Sequence, residues 1–222
     1  MTEKTTKSNQ NQGFELTHQT RADNLKISFR IGMAKKVYFA FHYEDVAELR
    51  ANVVRKHNFT KGVELAGYYD YSIWEESKKT SDIALKRLIN GELENTSVTA
   101  VLIGSQTYAR RWVRYELMKS VERGNRVLGI HINSIKGKDQ KTKTLGPDPL
   151  DHLGLQISDN GKRGRPTVWD GQKWVFYSDL DAFEINEQPI ATRGNNYQLS
   201  HWYKTYDWVA NDGFNNFSSW ID

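Results

Sequence analysis

Ser97–Gly104 reads SVTAVLIG, an uninterrupted apolar and β-branched run. Bounded by polar and turn residues, such a run is a strand buried on both faces, the kind found at the centre of a parallel sheet. The segments around it alternate between short apolar runs and amphipathic stretches. Upstream, Val37–Phe41 (VYFAF) reads as a first strand, and Asp45–His57 (DVAELRANVVRKH) carries Val46, Leu49, Val53 and Val54 at helical spacing. Lys and Arg near the end of that segment suit the negative end of a helix dipole. Gly67–Trp74 (GYYDYSIW) reads as a second strand interrupted by Asp70 and Ser72, and Thr80–Asn90 as a helix capped by Thr80 or Ser81 and stopped at Gly91. Downstream, Arg110–Arg123 is a third helix ending at Gly124, and Arg126–Ile132 (RVLGIHI) a fourth strand. Strands that alternate with helices in this way predict an α/β fold, a flavodoxin-like parallel sheet flanked by helices.

Beyond Asn133 the alternation stops. Residues 134–148 and 158–166 are loops rich in basic residues and glycine. Between Thr167 and Tyr177, TVW-DG-QKWVFY predicts a hairpin on a type I′ turn at Asp170-Gly171. A last helix from about Ser200 to Asn211 sets Trp202, Tyr203, Tyr206 and Trp208 in one stripe, which reads as core in preference to a base-stacking platform. At the other end, residues 1–32 are polar at the start and poor in large apolar side chains. Met33 is followed at once by Ala-Lys-Lys and the first strand, so it reads as a second start position. The expected organisation is an N-terminal extension (1–32), an α/β core (33–135) and a C-terminal part (136–222) packed on the same domain.

Composition narrows the chemistry. The chain has 222 residues, 38% hydrophobic and 12% aromatic, too many for a disordered chain and enough for one substantial core. It has no cysteine, which excludes disulfides, thiol catalysis and Cys-ligated metals, and points to a reducing cytoplasm. No apolar run is long enough to span a bilayer or form a signal peptide. A net charge of +4 permits an anionic ligand but is too mild to imply nucleic acid.

In an open parallel sheet ligands bind outside the carboxyl ends of the strands, at the point where strand order reverses. Two polar clusters are expected there: His42-Tyr43-Glu44-Asp45 after the first strand, and Ser105-Gln106-Thr107-Tyr108 with Arg110 to Glu116 after the third. The chain lacks an Asp at the end of the third strand, where a phosphoacceptor needs one. The acidic cluster after the first strand would repel a flavin phosphate, and neither GxxxxGK[ST] nor GxGxxG occurs. No HxxxH or HxH pair supports a histidine metal site. Taken from periodicity alone, Glu116 is a half-solvated carboxylate pairing with Lys119, Trp112 a core anchor, His42 a strand-end histidine and Asp45 an N-cap.

These residues resemble a family. V-Y-F-A-F-H-Y-E-D is similar to the first box of TIR domains, and S-Q-T-Y-A-R-R-W-V-R-Y-E to their segment bearing the catalytic glutamate. Residues 33–222 resemble, nearly end to end, the ThsB family, the TIR-like subunits of the Thoeris anti-phage defence system. The similarity lies in S-I-W-E-E-S-K-K-T-S-D-I-A-L-K-R-L-I-N-G, V-L-I-G-S-Q-T, R-R-W-V-R-Y-E, G-I-H-I-N and Y-D-W-V-A-N-D-G-F-N-N-F-S-S-W. The resemblance implies a TIR-type core with a C-terminal hairpin and helix extension. It implies a protein that senses a phage component and converts NAD into a cyclic ADP-ribose isomer, releasing nicotinamide. The product would activate the NAD-depleting effector ThsA.

The residue carried over as catalytic is Glu116. Phe39, Phe41, His42, Asp45, Trp74, Ser105 and Trp112 are carried over as substrate-binding, with His42 departing from the commoner TIR residue at its position. Cleavage of the nicotinamide–ribose bond develops oxocarbenium character that a carboxylate can stabilise. Cyclisation needs a hydroxyl of the same molecule to be held close to the anomeric carbon. The resemblance implies NAD as the substrate; orientation is then the main requirement, and no metal or second cofactor is expected. The resemblance leaves room for self-association. Its alternative is a catalytically silent TIR-like interaction module. The basic runs Lys136–Lys143 and Lys162–Arg165 read as solvated loops in preference to a nucleic-acid surface.

Overall fold

The structure, a computed structural model, describes residues 36–60, 65–66 and 81–222. From the N-terminal side its first elements are β1 (Val37–Phe41), α1 (Tyr43–Ala47), α2 (Arg50–Thr60), β2 (Leu65–Ala66) and α3 (Asp82–Leu93). They are followed by β3 (Val98–Ile103), α4 (Arg111–Glu122) and β4 (Arg126–His131). The C-terminal part adds a single-turn helix α5 (Pro149–His152), strands β5 (Leu153–Ile157), β6 (Arg163–Trp169), β7 (Trp174–Phe176), β8 (Phe183–Glu184), β9 (Asn196–Gln198) and β10 (Thr205–Asp207), and helix α6 (Gly213–Ile221). Among the described residues no helix is long and apolar enough to cross a membrane.

One sheet runs β2-β1-β3-β4-β10 with every pair parallel. The first four positions match the expected flavodoxin-like order. All six residues of β3 are buried, as a strand covered on both faces must be. The fifth position is filled by β10, whose Thr205 lies opposite Gly129. The Ser200–Asn211 helix expected from its aromatic spacing does not form. Instead a short 3₁₀ turn at Leu199–His201 leads into β10, because Thr205–Asp207 completes the open edge of β4. The expected burial holds nonetheless: Trp202, Tyr203 and Trp208 are in the core and Tyr206 packs against it.

The strand period sorts β1 onto two faces. Val37 and Phe39 join a cluster with Ala51 and Val54 of α2 and Phe217, Trp220 and Ile221 of α6. Tyr38 and Ala40 join a second cluster with Leu85 and Ile89 of α3 and Val113, Leu117 and Met118 of α4. That second cluster continues into Leu153, Leu155, Tyr177, Trp202 and Tyr203, so the C-terminal residues cover α3 and α4.

A second, antiparallel sheet was not foreseen. Its order is β7-β6-β5-β9, with β8 also on β6. The 158–166 loop expectation is corrected accordingly, since Arg163–Pro166 belongs to β6. The 167–177 hairpin forms, but Trp169 pairs with Trp174, leaving a four-residue loop in place of a two-residue type I′ turn. Asp170 shapes it by accepting from the backbone N–H of Gln172 and Lys173 at 2.8 Å, which also holds its carboxyl below the usual range.

Two helix boundaries differ from expectation. The 45–57 helix is broken at Glu48–Leu49, where Leu49 takes φ +69°. The break re-aims the segment: Arg50, Ala51, Val54 and His57 turn inward while Leu49 and Val53 are exposed. Helix α3 begins at the predicted cap, Ser81 Oγ accepting from Ala84 N at 3.1 Å, but runs through Gly91 because Leu93 is buried. The expected second strand at 67–74 lies outside the described residues; Leu65–Ala66, just before it, pairs parallel to β1.

Candidate active site

Helix α4 carries Glu116 in its middle and Trp112 one turn earlier. The helix has an apolar face, Val113, Leu117, Met118 and Val121, that packs on β1, β3 and β4 and fixes its rotation. Its backbone is anchored at Glu116 itself. Ser120 Oγ donates to the Glu116 carbonyl at 2.7 Å, and Thr99 Oγ1 of β3 donates to Ser120 Oγ at 2.8 Å. The Glu116 side chain therefore leaves a backbone tied to the central strand.

Glu116 is 5% exposed. Tyr38 Oη of β1 donates to Glu116 Oε1 at 2.9 Å, and Glu116 Oε2 has no hydrogen-bond partner among the described residues. Burial pushes the Glu116 pKa up to about 8, and the Tyr38 hydrogen bond acts in the opposite direction. A charged form removed from water is disfavoured, whereas a donor to that form stabilises it. The half-solvated pairing with Lys119 is corrected: Lys119 pairs with Glu122, and Glu116 points into the protein.

Trp112 is half-buried against the same cluster as Tyr38. The Arg111 guanidinium lies 4.7 Å from the centre of its ring. That guanidinium is held in turn by Asp179, which it grips through Nε at 2.8 Å and Nη2 at 2.7 Å, and by Asp82 at 2.8 Å. Lys86 of α3 also reaches Asp179, at 3.0 Å. Hydrogen bonds from Arg111 hold the Asp179 carboxyl down near 2. A residue beyond the second sheet's hairpin thus clamps α3 to the first turn of α4.

The strand ends are occupied differently from expectation. Asp45 lies inside α1 and does not cap it. Its buried carboxylate accepts from Thr107 Oγ1 at 3.4 Å, and Gly104 N donates to the same Thr107 oxygen at 2.8 Å. Burial, reinforced by the nearby Glu48 charge, raises the Asp45 pKa to about 6. Gly104 is required here, since a Cβ would overlap the Asp45 carboxylate, and a Cβ on Gly146 would overlap the Gly104 carbonyl. At the expected crevice between β1 and β3, Asp45 and the 134–148 loop both approach the backbone at Gly104. Ser105 Oγ accepts from Asn133 Nδ2 at 3.0 Å, tying β3 to β4.

His42 is buried, with its ring against Tyr43 and Nδ1 3.6 Å from Glu44. It lies just past the end of β1, between that strand and α1. Phe39 and Phe41 lie on the side of the sheet opposite Tyr38: Phe39 stacks on Phe217, and Phe41 packs beneath the Arg55 guanidinium at 4.9 Å. Glu116 and Trp112 thus lie on one helix on the Tyr38 side of the sheet, Asp45 and Ser105 hold the strand ends, and the two phenylalanines are not brought to Glu116. Trp74 lies outside the described residues.

Sequence reasoning missed Tyr38 and Asp179. A tyrosine in a strand buried on both faces is itself a signal, because its hydroxyl must find a partner. Asp179 had no local signal, its partners being 68 and 93 positions away.

The model of the family described as "Thoeris protein ThsB, TIR-like domain" matches residues 38–136. A curated protein of Bacillus cereus (strain MSX-D12), named "Putative cyclic ADP-D-ribose synthase ThsB1", is 57% identical over 192 residues. That alignment covers 86% of this chain and all of the relative. The chain belongs to the ThsB family. The TIR-like match takes in β1 to β4 with Tyr38 and Glu116, and stops short of Asp179.

Proposed function

We propose that this protein, like the activity its relative is named for, makes a cyclic ADP-ribose isomer from NAD, with Glu116 as the catalytic carboxylate. The observation that carries the reading is a buried carboxylate with one oxygen held by Tyr38 and the other unpartnered, one helical turn from Trp112. The bond between the pyridinium nitrogen and the ribose anomeric carbon breaks, its electron pair leaving with neutral nicotinamide. Positive charge builds on the ribose, and ionised Glu116 stabilises it in a site poor in water. A nucleophilic group of the same molecule then bonds to that carbon, and a proton it releases passes to Glu116.

With its pKa near 8, Glu116 is mostly protonated at neutral pH and poised to accept a proton once ionised. A cationic nicotinamide riboside beside it favours the ionised form, because an opposite charge within about 4–6 Å lowers a carboxyl pKa. Substrate binding and ionisation are thereby coupled. Trp112 and His42 serve as walls for the flat leaving group and exclude competing water. Asp45 and Ser105 set the strand ends around the bound dinucleotide.

We infer further that the product is a diffusible signal to the effector ThsA, and that a phage component triggers its formation during infection. The test is mass spectrometry of nucleotides from infected cells carrying the wild type or Glu116→Gln, with each extract applied to the effector. A cyclic ADP-ribose isomer and effector activation from the wild type alone support the reading. Equal product from both chains overturns it.

A further inference from the structure

We propose that Tyr38 is the positioning residue of this site: its phenol hydroxyl locks the Glu116 carboxylate in one orientation, turns Oε2 toward the substrate and stabilises the negative charge used in the reaction. This rests on the reading of Glu116 as catalytic. Three observations carry it.

The first is geometric. Tyr38 sits at the second position of β1, whose backbone is fixed on both sides by pairing with β2 and β3. Its side chain is fully buried and reaches 2.9 Å from Glu116 Oε1, across 78 positions of sequence. A donor on a strand paired on both sides thus meets an acceptor on a helix whose backbone is separately tied to β3 through Ser120 and Thr99. Both ends of the hydrogen bond are preorganised, so little ordering is left to be done when substrate arrives.

The second is that the bond divides the two carboxylate oxygens. Oε1 is engaged and Oε2 is not. A buried, unpartnered polar atom is costly in a folded protein, and at a candidate site it is free to be completed by a ligand. The oxygen left over is the one available to ribose hydroxyls or to the developing cation.

The third is the absence of competing charges on Glu116. Among the described residues, elements packed against α4 direct their charged groups elsewhere. Lys86 of α3 is committed to Asp179, Lys119 on α4 itself pairs with Glu122, and Arg111 is held by Asp179 and Asp82. From β3, Thr99 offers a hydroxyl that goes to Ser120. From the C-terminal part, Tyr203 is a buried phenol whose pKa burial raises, so it stays neutral. Against the cost of burial, Tyr38 supplies the hydrogen bond that favours the ionised carboxylate.

The test is Tyr38→Phe in the full chain, which keeps the ring and removes one hydroxyl. A hydrogen bond to a charged group corresponds to roughly a 10- to 100-fold change in an ionisation constant. Nicotinamide release by the wild type is expected to rise with pH through about 8. In Tyr38→Phe the same rise should move up by roughly one to two pH units, with the rate at pH 7 lower by the same factor and recovering at alkaline pH. A parallel measurement does not depend on turnover. Carbon-13 glutamate labelling, with the Glu116 signal assigned by its loss in Glu116→Gln, follows the carboxyl titration directly, and Tyr38→Phe should raise its midpoint. A merely structural tyrosine would lower the melting temperature and leave both midpoints in place. Unchanged or lowered midpoints overturn the proposal. Full activity in Glu116→Gln would instead overturn the reading it rests on, whatever the titration shows.

Discussion

Replacing Glu116 with Gln is expected to stabilise the protein, and increasingly so as pH rises. The carboxyl has an ordinary pKa of 4.5 and one near 8 in the fold, so the folded protein binds a proton that the unfolded chain gives up. The stabilising contribution of that proton is intact below about 4.5 and is lost as pH rises from about 4.5 to about 8. At 1.36 kcal/mol for each unit of pKa, the cumulative penalty is about 3 kcal/mol at pH 7 and reaches about 5 kcal/mol above pH 8. Glutamine stays neutral throughout and can still accept from Tyr38, so it escapes the penalty. Urea denaturation of both chains at pH 4.5, 7 and 8.5 measures the difference. The variant's advantage should start near zero and grow by several kcal/mol. An advantage that is constant with pH, or that shrinks, would show that Glu116 is not held protonated by burial and would refute the reasoning.

Other perturbations follow from the same geometry. Asp179→Ala removes the carboxylate that gathers Arg111 and Lys86; with Arg111 half exposed, the loss is about 1–2 kcal/mol at pH 7 and fades as pH falls below about 3, where the wild-type pair is itself lost. The same variant should raise KM for NAD by freeing Trp112 from Arg111, measured by initial rates across substrate concentrations. Arg50→Met breaks a buried guanidinium that donates to the Ile135 carbonyl at 2.9 Å and the Lys141 carbonyl at 2.8 Å while pairing with Glu48; roughly 3–5 kcal/mol should be lost in urea denaturation, together with faster proteolysis of the 134–148 loop. Gly104→Ala forces Asp45 off its position and should cost more than about 2 kcal/mol by the same measurement.

The parallel sheet could be read from local composition because its strands are covered on both faces. VYFAF, VTAVLI and RVLGIH need no knowledge of their partners to be recognised. The second sheet could not, since LGLQI carries no period of its own and acquires its role from β6 and β9, far along the chain. β10 was hidden for the same reason: three partly buried residues become a strand by completing the edge of β4. Within the site, the residue types around Glu116 were legible but its burial was not. Its helix neighbours Lys119 and Ser120 suggest a wet face, while Tyr38 and the aromatic C-terminal residues that close over that cluster come from elsewhere in the sequence. Strand alternation alone separates Tyr38 from Phe39 and Phe41, and only packing shows which side holds the helix with the carboxylate.

The most direct test of the central claim is nicotinamide release from NAD in extracts of infected cells expressing the wild type, Glu116→Gln or Glu116→Asp, with the cyclic product identified by mass spectrometry. The wild type should release nicotinamide and form a cyclic ADP-ribose isomer in equal amounts, Glu116→Gln should form neither, and Glu116→Asp, charged but shorter, should retain a small fraction. Wild-type levels of nicotinamide and cyclic product from a folded Glu116→Gln would contradict it.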